Sequence, residues 1–404
     1  MSDGRKSWTL ILAGVVPLLC RPDLAAAQSS SLADALALDP PQWELDGTEI
    51  QLGGSGAGAL FAATQDGGPA APGYDHTGAS GLLTGNFRLR RILDNGMVLG
   101  ARADILAYHD ALSGDNYGND TFQKLYVFAQ TGFGRVEIGQ QDGAASQLGL
   151  TGPVADREVN LANRAISLFR DPTTGDAFAH FLSPAIAVSA SSNFAKINYV
   201  SPRLFGIQGS LSYTPDTVRS PLPFTGNPSN GPSQQQNIWE LATGYTGYFS
   251  NLAVGVSAAY THGELKNGSA GFGDLSDWSL GAQLAYTMSD LKVSAGGGYR
   301  ETNAYLLNVT QALKNGDTRI AHLSTTAEWG SWIGGFEYSL GNAEGPVDFR
   351  IHGYQITAGY KLNTDLQLSA GWQWYDYHRD LGTFYNGRPA IGMNAGFLSL
   401  GYSL

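Results

Sequence analysis

Apolar and polar residues alternate with a period of two along most of the chain, the pattern of β-strands whose two faces meet different surroundings. In one such segment, one face carries Leu366, Leu368, Ala370, Trp372 and Trp374, and the other carries Gln367, Ser369, Gly371, Gln373 and Tyr375. The alternation predicts sixteen strands, near residues 48–64, 79–93, 97–109, 121–131, 134–141, 193–200, 205–214, 237–249, 252–263, 276–288, 291–301, 318–329, 332–341, 352–362, 366–378 and 393–404.

The composition of the two faces indicates a membrane rather than a soluble core. The apolar faces tend to begin or end in Trp or Tyr, as at Trp278 and Tyr299, whereas the opposite faces are small or polar. A soluble sandwich places aromatic residues in the middle of its core face, but a membrane barrel places them at the two lipid–water interfaces. Most of the predicted strands also have about ten residues, which is the length that crosses a bilayer at a tilt.

The connections between the strands alternate between tight turns and long polar loops. The tight ones contain Asn, Asp and Gly, which tolerate the positive φ angles of hairpin turns, as in 94–96 and 289–290. The long ones include 215–236 and 379–392. Short turns at one end and long loops at the other are typical of outer-membrane barrels. We therefore predict an all-β fold, a 16-stranded antiparallel transmembrane β-barrel with short periplasmic turns and long external loops.

The start of the chain has the features of a secretory signal peptide. A basic segment precedes the apolar run 10–19, and Ala25-Ala26-Ala27 forms a cleavage motif. A lipoprotein signal through Cys20 is the weaker alternative, because the bulky Leu19 lies where a small residue is expected. The predicted division of the chain is a signal peptide at 1–27, a periplasmic leader at 28–47 and the barrel at 48–404.

The composition fits one barrel better than several soluble domains. The 404 residues include 53 Gly, and only 15% are charged. Half of each barrel strand faces lipid and cannot be charged, while Gly eases tight turns and a curved wall. The single cysteine excludes a disulfide framework and a Cys-cluster zinc site. The formal net charge of −11, which becomes −12 without the signal peptide, argues against nucleic acid as a partner.

Three segments together resemble the general bacterial porins of Gram-negative outer membranes, most closely the alphaproteobacterial type. GFGRVEIGQQ at 132–141 is similar to the strand before that family's constriction loop, and KINYVSPRLFGIQGSLSYTP at 196–215 is similar to the strand pair that follows the loop. GFLSLGYSL at 396–404 is similar to the family's last strand, although Leu404 stands where the family usually has Phe. The resemblance spans 48–404 and implies a homotrimer embedded in outer-membrane lipid and lipopolysaccharide, with one aqueous pore in each barrel.

The resemblance further implies that the third long loop, about 142–192, folds into the barrel and narrows the pore. Four acids of this loop are candidate constriction residues: Asp156, Glu158, Asp171 and Asp176. The wall opposite the loop is expected to be basic, and strand alternation places four basic residues on its inner face: Arg88, Arg90, Arg102 and Lys124. We expect these two sets to face each other and to produce a transverse field that favours small dipolar solutes. Solvated loop surface, and lumen polarity away from the constriction, are the alternatives.

The expected function is passive diffusion of small hydrophilic solutes and ions, because barrels of 16–18 strands are too wide for side chains to fill. A substrate-selective channel for sugars or anions, an outer-membrane barrel enzyme and a soluble periplasmic β-protein are the alternatives. The seven histidines show no metal-ligand spacing, and the segment 53–57 lacks the second Gly of a nucleophile elbow. We therefore predict no cofactor, no metal and no catalytic residue. The charge of −12 favours a weak preference for cations.

Overall fold

In the computed structural model of the protein, sixteen long strands form one closed antiparallel barrel. The structure describes residues 42–66, 76–110, 122–161, 169, 191, 194–217, 235–266, 273–305, 314–344, 348–362, 365–379 and 389–403. A short strand, β1 (Gln42–Leu45), precedes the barrel strands. The barrel strands are β2 (Thr48–Gln65), β3 (Thr77–Ile92), β4 (Val98–Asp110), β5 (Phe122–Thr131), β6 (Gly134–Gln140), β7 (Ala195–Val200), β8 (Ile207–Asp216), β9 (Gln235–Phe249), β10 (Leu252–Leu265), β11 (Leu275–Met288), β12 (Leu291–Tyr305), β13 (Lys314–Trp329), β14 (Trp332–Glu344), β15 (Phe349–Lys361), β16 (Leu366–Arg379) and β17 (Ala390–Ser403).

The sixteen predicted strands are confirmed, and each pairs with the next along the chain. The barrel closes where β17 pairs with β2. Tight turns connect every second pair of strands, and several contain residues with positive φ, such as Gly96, Ser289 and Gly330. The turns therefore use the positive φ angles that Asn, Asp and Gly tolerate better than other residues.

Most strands run further toward the long loops than the apolar alternation predicts, whereas β5, β6 and β7 stop one or two residues short of the predicted bounds. β12 reaches Tyr305 and β13 begins at Lys314, each four residues beyond the predicted boundary. In this extension Ala304 pairs with Asn315, and Tyr305 pairs with Lys314. Backbone pairing continues above the lipid, but both faces then meet water, so the alternation that revealed the strands disappears.

The outward face of the barrel is an exposed apolar belt with aromatic residues at both ends. Toward the long loops, the rings of Trp278 and Tyr299 lie 5.3 Å apart. Toward the tight turns, Trp332 packs on Tyr360 at 4.8 Å, and Trp329 is exposed. Monomeric soluble proteins do not leave so continuous an apolar surface in water. The belt therefore excludes the alternative of a soluble periplasmic β-protein.

The strand β1 extends the barrel wall beyond the end of β17. β17 pairs with residues 55–65 of β2, whereas β1 pairs with residues 48–51 after a turn at Asp46 and Gly47. Both lie on the same side of β2, because its other side pairs with β3. Part of the predicted leader 28–47 thus joins the sheet. Residues 28–41, the predicted signal peptide and Leu404 lie outside the described residues.

One short helix, α1 (Ala144–Leu148), is present in the described part of the chain. None of the helical structure described there is long and apolar enough to cross a membrane.

Candidate functional site in the barrel interior

The segment 142–161, which follows β6 and includes α1, runs along the inside of the barrel. Its backbone reaches β8, β10 and β16 in turn: Ala144 N donates to Ser212 Oγ at 3.1 Å, Leu150 N donates to Ser257 Oγ at 2.8 Å, and Gln367 Nε2 donates to Ala155 O at 2.8 Å. Only a segment within the barrel can contact strands on so many sides of it. The predicted inward fold of the third long loop is confirmed for this segment.

Buried carboxylates on the wall hold the segment at two points. Glu240 on β9 accepts the N–H of Ala145 at 3.0 Å, and Glu337 on β14 accepts the N–H of Leu161 at 3.3 Å. Both carboxylates are almost fully buried. A buried backbone N–H without such an acceptor would lose its hydrogen bond to water and gain none in the protein. These wall acids therefore position the loop rather than face the open lumen.

Wall glycines leave the space that the segment occupies. A methyl group at Gly281 on β11 would overlap the carbonyl of Leu150, and a methyl group at Gly335 on β14 would lie 2.6 Å from Ala155 Cβ. Real Cβ atoms do not approach other atoms so closely. The small residues on this part of the wall therefore allow close approach by the loop backbone.

The far end of the loop packs on the inward-facing ring of Tyr375 on β16. Leu161 and Phe169 are fully buried, and the ring of Phe169 meets that of Tyr375 edge-on at 6.0 Å. Tyr377 and Met393 are also buried inside the barrel. Our sequence reasoning missed this cluster, although a signal was present. The inward positions of these strand ends are apolar or aromatic, where a pore-lining face should be polar: Tyr375, Tyr377, Ile391 and Met393.

Asp156 does not act as the pore-facing acid that the sequence predicts. Its carboxylate is 5% exposed and accepts the backbone N–H groups of Glu158 at 2.8 Å and Val159 at 2.9 Å. Its other oxygen accepts the hydroxyl of Ser399 on β17. The carboxylate thus stabilises a turn of the loop and ties that turn to the last strand.

Of the other three predicted acids, the structure describes only Glu158. Glu158 is half-buried, and burial raises its pKa, with the neighbouring Asp156 adding to the effect. Asp171 and Asp176 lie outside the described residues. The exposed residue between the two described acids is basic, Arg157. At this point of the loop, the exposed side chain is therefore positive, where the sequence analysis expects negative charge.

The four predicted basic residues lie on three neighbouring strands, β3, β4 and β5. Arg88 and Arg102 are direct partners in the β3–β4 register, and Lys124 is the direct partner of Asp104 in the β4–β5 register. Lys124 also contacts Asp142 at the start of the loop, which places this face inside the barrel. The structure thus brings Arg88, Arg102 and Lys124 together on one stretch of inner wall, with Arg90 one step further along β3.

Most of these basic groups already have an acidic partner. The ion pairs on this wall are Arg90–Glu49 at 3.9 Å, Arg102–Asp104 at 2.8 Å, Lys124–Asp142, and Arg135–Glu137. Arg135 and Glu137 on β6 were not among the predicted site residues. Arg88 is exposed and donates a long hydrogen bond of 3.5 Å to the neutral side chain of Gln51. The wall is therefore a mixed ionic network rather than a row of free bases.

Comparison with known proteins places most of the chain in one group. A family model described as Gram-negative porin matches residues 20–380. The anion-selective porin from Comamonas acidovorans superposes with a TM-score of 0.56 at 14% identity, over 88% of this chain and 100% of that one. A loop L8 deletion mutant of OmpT, an outer membrane protein of Vibrio cholerae, gives 0.55 at 12% identity, over 89% and 100%. The trimer form of in-vitro folded OmpT gives 0.52 at 14% identity, over 89% and 100%.

At these identities the likeness to solved structures shows the fold alone. No curated protein sequence matches the chain.

Proposed function

Because the chain belongs to the Gram-negative porin family and forms a channel in the outer membrane, we propose that small hydrophilic solutes and ions cross it by passive diffusion. The observation that carries this proposal is the course of the segment 142–161. It runs along the inner wall from β6 to β17. The stretch of inner wall around Arg88 is polar, and the side chain of Arg88 is exposed. A 16-stranded barrel is too wide for its side chains to fill. A segment that follows part of the inner wall narrows the water-filled path without closing it.

Reconstitution into a planar bilayer tests this proposal. We expect stepwise current increases that are linear in voltage and are absent when detergent alone or heat-unfolded protein is added. Current that saturates with one solute, or that a specific sugar blocks, would favour the substrate-selective alternative. A lack of stepwise conductance from folded protein would refute the channel function.

The interior groups support a channel rather than an enzyme. The buried carboxylates of Glu240, Glu337 and Asp156 accept hydrogen bonds from the loop, so the loop's position accounts for their burial. In the described residues, no group of three or more His, Cys, Asp or Glu side chains could hold a metal ion. We infer a non-enzymatic role. Release of fatty acid or peptide by the purified, channel-active protein would contradict it.

We further infer a homotrimer that assembles through the outward face of β2 to β5. By strand alternation this face carries small residues such as Gly54, Gly56 and Ala101, whereas other strands carry paired aromatic rings. Flat surfaces of small side chains allow close approach of a second barrel. A trimer form is also described for OmpT from Vibrio cholerae.

A charged substitution on each side of the barrel tests the assembly face. Leu60 on β2 and Leu284 on β11 are both exposed on the outer surface. Native mass spectrometry in detergent should give a trimer for the wild type and for Leu284→Arg, and a monomer for Leu60→Arg. An unchanged trimer in Leu60→Arg would exclude this face.

A further inference from the structure

Exposed apolar side chains form two patches at the end of the barrel that carries the tight turns. The first patch is on β1, where Trp43 is 52% exposed and Leu45 is 69% exposed. Their partners in the strand register are Ile50 and Thr48, which have the same parity along β2 as the outward-facing Leu52. Trp43 and Leu45 therefore project from the outer surface, and more than half of each side chain is left uncovered.

The second patch is Phe133, at the tip of the turn between β5 and β6, where the side chain is 87% exposed. The hydroxyl of Tyr199 donates to the carbonyl of Phe133 at 2.7 Å, so this turn is level with the polar edge of the aromatic belt. Aromatic residues with a polar tip are favoured at that level, but Phe has none. The ring is at the rim rather than in the lumen, so diffusion through the pore does not account for it.

The two patches flank the face of β2 to β5 on opposite sides. The strands follow one another in order around the barrel, so β1 lies at one edge of this face and the β5–β6 turn lies at the other. Two round barrels touch along a line and diverge on either side of it. Small residues such as Gly54, Gly56 and Ala101 suit the line of contact, whereas large side chains suit the diverging gaps at its edges.

The symmetry of a closed ring brings the two unlike patches together. Rings of identical subunits use heterologous contacts, in which one surface of each subunit meets a different surface of the next. One edge of the face therefore meets the opposite edge of the neighbouring copy. Both patches are at the same end of the barrel, so they meet at the same height.

We propose that β1 of one protomer packs on the β5–β6 turn of its neighbour, with Trp43 and Leu45 covering Phe133. The inference rests on the homotrimer of the proposed function and gives β1 a role in its assembly. A two-stranded hairpin is marginally stable in water, so cover from a neighbouring barrel also stabilises the hairpin of β1 and the start of β2. The contact occurs three times in each trimer.

Thiol crosslinking in the channel-active protein tests this contact. A short bismaleimide should join Leu45→Cys of one copy to Phe133→Cys of the next, and a denaturing gel of boiled protein should then show dimers and trimers. The only native cysteine, Cys20, lies in the predicted signal peptide. The pair Leu45→Cys and Phe205→Cys is the matched control, because Phe205 is 98% exposed on the β7–β8 turn, two strands further from the face of β2 to β5. Its yield of crosslinked dimer should be several-fold lower.

A second measurement does not depend on introduced thiols. Phe133→Ser removes an almost fully exposed ring, so the barrel should keep its unit conductance while the trimer dissociates at a lower temperature. The trimer of Phe205→Ser should dissociate at the wild-type temperature.

Three results would overturn this inference and leave the trimer standing. They are equal dimer yields from the two cysteine pairs, dimers from Leu45→Cys alone, and a wild-type dissociation temperature in Phe133→Ser. A wild type that native mass spectrometry finds monomeric would overturn both the trimer and this contact.

Discussion

The contact between Ser399 and Asp156 offers a direct test of how the loop is held inside the barrel. Ser399 is 3% exposed and donates its hydroxyl to the Asp156 carboxylate, whose other oxygen accepts the N–H groups of Glu158 and Val159. Ser399→Ala removes one hydrogen bond to the carboxylate and leaves one of its oxygens buried against β17. The substitution adds no atoms, so it introduces no overlap.

The expected effect follows from the charge of the acceptor. A hydrogen bond to a charged group contributes about 1.5–3 kcal/mol, and a buried charged acceptor without its partner costs a similar amount. The barrel strands remain paired without this bond, so the loss falls on local opening of the loop. Since 1.4 kcal/mol is a factor of ten, the opening equilibrium of this segment should rise about 10- to 100-fold.

Limited proteolysis with trypsin measures that opening at the bond after Arg157, which is exposed in the loop. When reclosing is faster than cleavage, the cleavage rate follows the open population. Mass spectrometry identifies the fragment that cleavage of this bond produces. An unchanged difference in gel mobility between unheated and heated protein shows that the barrel is intact. Ser403→Ala, on the inner face of the same strand near its end, is the control. Equal cleavage rates in wild type and Ser399→Ala, or an equal rise in Ser403→Ala, would refute the reasoning.

Three further predictions concern the loop and the wall. Gly335→Ala places a methyl group 2.6 Å from Ala155 Cβ. This overpacking costs about 1–3 kcal/mol, so the variant should be cleaved faster by trypsin after Arg157 and should have an altered unit conductance. A cleavage rate and a conductance equal to those of the wild type would contradict the packing of the loop on β14. Asp277→Asn breaks a buried, bidentate ion pair with Arg300, whose hydrogen bonds are 3.0 and 2.6 Å long. Because an unpaired buried charge costs about 3–5 kcal/mol, the urea midpoint of unfolding should fall. A midpoint equal to that of the wild type would contradict a stabilising role for this ion pair. Because burial raises the pKa of Glu158, the docked loop should gain stability as pH falls from that raised value toward the ordinary one; hydrogen exchange of loop amides should show this gain in wild type and not in Glu158→Gln.

The strands could be predicted because lipid imposes a simple rule on each of them. One face of every strand must be apolar over the thickness of the bilayer, so a period of two appears wherever the wall crosses lipid. The rule stops at the interface, which is why β12 and β13 extend beyond the predicted boundaries. It also says nothing about β1, whose four residues add to the wall through backbone pairing rather than through an alternating pattern.

The interior could be predicted only as far as the alternation reaches. Alternation assigns Arg88 and Arg102 to the inner face, because a residue's parity along a strand determines its side. It cannot reveal that Asp104 already holds Arg102, since that depends on rotamers and cross-strand register. For Asp156 there is no alternation to use, and only the three-dimensional course of the loop shows that Ser399 meets its carboxylate.

The same reasoning separates the charge of the chain from the charge of the pore. Coulomb energy falls with distance and is further screened by salt, so an ion in the lumen responds mainly to groups within about 10 Å. Acids that hold the loop have their charge directed at N–H groups, as Glu240 does at Ala145, and acids on the outer rim are separated from the lumen by the wall. On the wall formed by β3 and β4, the guanidinium of Arg88 is exposed and has no carboxylate of the described residues at ion-pair distance. The total charge of the chain is therefore a poor guide to the charge that a solute meets in the lumen.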